Sequence, residues 1–139
     1  MTFAGINYLA VLLAATAAWV FGAIWYMALA TRWMAAAGIT EEKIAASKAQ
    51  SGVSLPYVFA FAASVVMAWV LAGIVGHLGQ VTLRSGVISG LFCWAGFVIT
   101  TMLVNNSFAM RSRMLLLIDG GYWLVALALM GAIIGAMGV

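Results

Sequence analysis

Apolar and polar positions separate along this chain into long blocks. Four apolar runs, approximately residues 6–30, 56–76, 86–109 and 114–137, stand out. Each is long enough for the roughly 20 helical residues that cross about 30 Å of hydrocarbon. The stretches between them, 31–55, 77–85 and 110–113, are too short or too apolar to fold separately. The pattern therefore predicts a single integral membrane domain over 1–139, all-α, an antiparallel four-helix transmembrane bundle. The first run ends in Ala28-Leu29-Ala30, which mimics a signal-peptide cleavage site. It lacks a basic segment before it and exceeds a typical leader core of about 7–15 residues, so it is expected to stay as the first helix.

The first connection carries structure of its own. The first helix is expected to run on through Arg32–Ala37 and stop at Gly38, since glycine suits the left-handed position after a helix end. Thr40 then caps a short cytoplasmic helix between helices 1 and 2. Glu41 and Glu42 lie in its first turn and Lys48 toward its far end, as the helix dipole favours. Ile44 is its only large apolar residue, too small a face for membrane sensing. Pro56 opens the next helix, where a missing N–H costs little.

Within the runs, small residues recur every fourth position. Ala10, Ala14, Ala18 and Gly22 form one row and Ala60, Ser64, Ala68, Ala72 and Gly76 another; Gly86 pairs with Gly90, and Gly131 with Gly135. Lipid gives apolar helices no hydrophobic reason to associate, so such rows mark faces where backbones approach closely. They also offer contact faces for a homo-oligomer.

Composition decides the solvent. The 139 residues are 67% hydrophobic and 6% charged, with a mean hydropathy of +1.18. An ordinary soluble domain is about a quarter charged. The expected partner of most of this surface is the lipid bilayer. A net charge of +3 rests on six basic residues scattered at the edges of apolar runs, which excludes a nucleic-acid patch. Those residues report topology instead. Arg32, Lys43, Lys48, Arg111 and Arg113 fall on one side and Arg84 on the other. The positive-inside rule then makes loops 31–55 and 110–113 cytoplasmic and puts both termini outside. One cysteine, Cys93, allows no intrachain disulfide and reads as packing.

The chain has six Trp and four Tyr. Tyr8, Tyr26, Trp33 and Tyr57 fall near span ends, where aromatic belts sit. Trp69, Trp94 and Trp123 lie deeper, and each indole N–H there needs a partner or a tilt toward the interface. The nine Met read as gap-filling packing.

The candidate chemistry is one intramembrane acid. Asp119 lies in the last run, where an unpaired carboxylate is costly and by default functional. It follows the 110–113 turn at about the distance by which Asn105 and Asn106 precede it, some 10 Å of helix. Thr101 lies one turn from Asn105, and Tyr122 three residues beyond Asp119. The predicted polar site is Thr101, Asn105, Asn106, Asp119 and Tyr122, with the asparagine amides donating to the carboxylate. It is either a protonatable or ion-coordinating site on a permeation route or a structural clasp between helices. A thinner outer polar layer consists of His77, Asn7 and Arg84. No glycine-rich phosphate loop, catalytic carboxylate pair, Ser-His-Asp set or metal-ligand spacing is present. The expectation is no enzyme, no cofactor, no metal and no catalytic residue.

The stretches "INYLAVLLAATAAWVFGAIWY", "RWMAAAGITEEKI" and "LVNNSFAMRSRMLLLIDGGYWLVALALMGAI" resemble the small bacterial membrane proteins grouped as domain of unknown function 1761. The likeness covers nearly the whole chain. It implies a four-helix protein of the bacterial inner membrane. The matching positions are Trp25 and Tyr26 near the inner end of helix 1, and Asp119, Gly121, Tyr122 and Trp123 in the last helix. The family pattern admits Asn where Asp119 stands, which favours hydrogen bonding over obligate proton carriage. The resemblance brings no activity, and neither a substrate nor an ion follows from it. Two functions remain: a homo-oligomeric transporter or channel-like protein built around Asp119, or a non-catalytic membrane scaffold or accessory subunit in which Asp119 is a clasp.

Overall fold

The computed structural model describes residues 5–51 and 55–139; positions 52–54, part of the segment read as a loop, lie outside the described residues. The described chain is helical with short connections. It contains α1 (Tyr8–Ala28), α2 (Ala30–Ala37), α3 (Glu41–Ser51), α4 (Leu55–His77), α5 (Leu83–Cys93), a π-helical segment (Trp94–Val98), α6 (Ile99–Phe108) and α7 (Arg113–Met137). Four of these helices, with α5 to α6 taken as one, are long and apolar enough to cross a membrane: Tyr8–Ala28, Leu55–His77, Leu83–Phe108 and Arg113–Met137.

The helix ends follow local chemistry. Asn7 starts α1 by accepting from the Ala10 N–H at 3.1 Å, and Ser112 starts α7 by accepting from Met114 at 3.2 Å. Thr82 and Ser85 cap each other's backbone N–H ahead of α5, so that helix begins at Leu83, earlier than the apolar pattern places it. Gly38 ends α2 in the left-handed region at φ 66°, and Thr40 accepts from the Lys43 N–H at 3.3 Å at the head of α3, both as the sequence predicts. The first helix does not run on unbroken. Leu29 leaves helical geometry at φ −108°, ψ 11°. Hydrogen bonds of helical spacing still pass through Leu29, from its N–H to the Trp25 carbonyl at 3.1 Å and from the Trp33 N–H to the Leu29 carbonyl at 2.8 Å.

The small-residue rows line the core. Ala10, Ala14, Ala18 and Gly22 are buried on α1, and Ser64, Ala68 and Ala72 on α4, while Ala60 and Gly76 at the ends of the second row are exposed. Between them lie Tyr122, Ala126, Met130 and Ile134 of α7, spaced four residues apart so that one stripe faces inward. Helix α5 meets α7 backbone to backbone. A Cβ at Gly86 would land on the Gly131 carbonyl, one at Gly90 on the Leu127 carbonyl, and one at Gly135 on the Thr82 carbonyl. Glycine is required at these crossings because only a missing side chain permits the approach. The result is a central α7, with 44% of its apolar window buried, and a peripheral α5–α6, with 11%.

Candidate functional site

Adjacent residues on α7 point about 100° apart, and the site is built on that fact. Asp119 and Tyr122 turn toward α1 and α2, whereas Gly120 turns toward the helix running from α5 to α6. Asp119 is half-buried. Its Oδ1 accepts from the Tyr26 hydroxyl at 2.8 Å and from the Trp33 indole N–H at 3.0 Å. Among the described residues, Oδ2 has no hydrogen-bond partner and no basic side chain pairs with the carboxylate.

The backbone on either side of Asp119 is held as well. The Trp25 indole donates to the Ile118 carbonyl at 3.1 Å, and the Trp94 indole donates to the Gly120 carbonyl at 2.8 Å. Both carbonyls lie inside α7, so the indoles add a second donor to oxygens that have two lone pairs. The glycine pair after the acid makes room for the neighbours, Gly121 for the Trp25 ring and Gly120 for the Ile99 side chain. A Cβ at Gly121 would stand 3.2 Å from Trp25 Cζ2, and one at Gly120 would stand 2.7 Å from Ile99 Cδ1.

Tyr122 extends the site into the core. Its hydroxyl donates to the Ala18 carbonyl at 3.3 Å, and its ring occupies the space left by Gly22, where a Cβ would stand 2.9 Å from Cε2. Around it Phe21 stacks at 6.1 Å, Tyr26 tilts at 5.3 Å, and Tyr26 meets Trp33 edge-on at 6.0 Å. The carboxylate is thus set in an aromatic collar from α1 and α2, and both of its donors are aromatic, the Tyr26 O–H and the Trp33 N–H.

This arrangement corrects the predicted cluster. Asp119 and Tyr122 share the α1 side of α7, but the donors are Tyr26 and Trp33, not asparagine amides. Thr101 and Asn105 are exposed and Asn106 is half-buried. One cause is the facing of Asp119, which points away from helix α6. The other is the π segment, whose wider turn inserts one extra residue into the helical repeat. The half-buried positions become Val98 and Met102, while Phe97 and Thr101, one residue earlier, are exposed. Tyr26 and Trp33, read as interfacial belt residues, are the ligands of the acid. Their spacing of seven, two helical turns, is the signal that places both on one face.

The second predicted layer does not assemble as a unit. Asn7 donates to the Met137 carbonyl at 3.4 Å, joining the start of α1 to the end of α7, whereas His77 and Arg84 are exposed. Among the described residues, no three His, Cys, Asp or Glu side chains gather into a metal-binding group.

No curated protein and no solved structure matches the chain. A family model does, and it spans the aromatic collar, the glycine crossings and the acid alike. From its match over residues 9–135, the chain belongs to the family described as protein of unknown function DUF1761.

Proposed function

We propose that this chain is a non-catalytic scaffold or accessory subunit of a cell membrane, in which Asp119 clasps the last helix to the first. The observation that carries this reading is the shared acceptor: one carboxylate oxygen takes donors from both α1 and α2. Such a node fixes α1 and α2 against α7 and uses no group that turns over. In this reading the bundle is antiparallel, with both termini outside and α3 on the cytoplasmic surface, as the basic residues Arg32, Lys43, Lys48, Arg111 and Arg113 favour.

A second reading, a transporter or channel-like protein using Asp119, draws on the unpartnered Oδ2, which leaves the carboxylate able to meet a proton or a cation. Two variants separate the readings. For a clasp, Asp119→Asn keeps an oxygen acceptor and stays near the wild-type melting temperature in detergent, Asp119→Leu melts lower, and liposomes containing wild-type protein show no flux beyond empty ones. A proton or cation flux in wild type that Asp119→Asn abolishes while remaining folded overturns the scaffold reading. An unchanged melt for Asp119→Leu removes the clasp.

A further inference from the structure

The helix Leu83–Phe108 buries the least of the four apolar helices, and its outer face carries two polar side chains that the fold leaves unused. Thr100 and Ser107 spend their hydroxyls on their own backbone, donating to the Gly96 and Leu103 carbonyls at 2.8 and 2.6 Å. Thr101 and Asn105 make no such bond among the described residues. Both are exposed and lie four residues apart, so they share one face. They sit roughly 10 Å and 5 Å in from the helix end at Phe108. Around them Phe97, Val104 and Phe108 are 73%, 53% and 86% exposed. The Thr101 hydroxyl lies at hydrocarbon depth, without water to satisfy it, and Asn105 lies one turn away at the hydrocarbon edge; polar side chains in this position join helices by hydrogen bonds across the contact.

We infer that this face is a homodimer interface, with Thr101 and Asn105 of one copy hydrogen-bonding to the same face of a second copy. The occupant follows from self-complementarity. An asparagine amide both donates and accepts, so two copies related by a two-fold axis along the membrane normal satisfy each other without a second kind of partner. Aromatic Phe97 and Phe108 bracket the polar pair and add contact area on either side. The inference rests on this helix lying in a bilayer and is independent of what Asp119 does.

The test is sedimentation equilibrium of the full chain in density-matched detergent micelles, paired with thermal melts. Wild type is expected to show a monomer–dimer equilibrium. Thr101→Val with Asn105→Leu raises the dissociation constant roughly tenfold or more, Asn105→Gln restores part of the association, and Thr16→Val on α1 leaves it unchanged. The melting temperature of the dilute monomer stays at wild type in the double variant, because both substituted side chains are exposed in the monomer; Asp119→Leu lowers that melt and leaves the dissociation constant alone. In a second measurement, with Cys93→Ala as background, Asn105→Cys forms an intermolecular disulfide in membranes and Leu12→Cys does not. A wild type that is monomeric at every protein-to-detergent ratio, or a dimer indifferent to the double variant, overturns the inference.

Discussion

The Tyr26 hydroxyl reaches Asp119 Oδ1 at 2.8 Å across 93 positions of sequence, and it links the first apolar helix to the last. Because Trp33 shares the same oxygen, the two donors act on one acceptor. Each single removal, Tyr26→Phe or Trp33→Phe, is expected to destabilise the protein by about 1 kcal/mol, a common value for a side-chain hydrogen bond between membrane helices. In Asp119→Leu neither substitution has a further hydrogen-bond cost. A double-mutant cycle by thermal or chemical denaturation in micelles checks this, and full additivity of Tyr26→Phe with Asp119→Leu would show that the bond contributes nothing.

The glycine crossings make a sharper prediction. Gly86→Ala, Gly90→Ala and Gly131→Ala each drive a methyl group into a backbone carbonyl of the facing helix, and backbone cannot move aside as a rotamer does. Each is expected to cost about 2 kcal/mol or more. Gly96, in the π-helical segment that follows α5, has nothing within 4 Å of its Cβ position. Gly96→Ala is expected to be neutral or mildly stabilising, since alanine is the better helix former by about 1 kcal/mol. Melting temperatures of the four variants in dilute micelles provide the comparison.

Gly38 stands at φ 66° with open space around it, so its requirement is conformational and not steric. Gly38→Ala is expected to cost about 1 kcal/mol, the penalty of placing a side chain in the left-handed region. The effect should appear locally, as faster amide hydrogen exchange at the junction of α2 and α3, with the Tyr26 and Trp33 contacts to Asp119 intact.

Gly121 faces the Trp25 ring at 3.2 Å from its Cβ position. That is a tight contact that a ring shift of a few tenths of an ångström relieves. Gly121→Ala should therefore be tolerated with a loss under about 1.5 kcal/mol while lengthening the Trp25 bond to the Ile118 carbonyl. Tryptophan fluorescence in a variant keeping only Trp25 reads this directly; an emission maximum equal to that of the Gly121 parent would show that the ring does not respond.

Much of the fold is legible in local sequence. The four apolar runs, the stop at Gly38, the Thr40 cap and the buried faces of Ala10–Ala14–Ala18 and Ser64–Ala68–Ala72 all follow from length, backbone conformation and four-residue spacing. These are properties of a helix and its caps, set within a turn or two of chain. Asp119 as the polar centre is legible for the same reason, since a carboxylate in an apolar run must find partners wherever the helices lie.

Which partners it finds depends on rotation and register, and these are global. Equal distance from the 110–113 turn predicts Asn105 and Asn106 at the depth of Asp119, but depth is one coordinate and facing is another. The backbone contacts of Gly86, Gly90, Gly131 and Gly135 orient α7 so that Gly120 meets the neighbouring helix and Asp119 turns away from it. The Trp94–Val98 π segment then shifts the following positions by one residue, leaving Thr101 outside. Single-helix periodicity assumes a constant turn angle and an undetermined rotation about the axis. The seven-residue spacing puts Tyr26 and Trp33 on one face, but only the packed glycines, by fixing the rotation of α7, turn Asp119 toward that face.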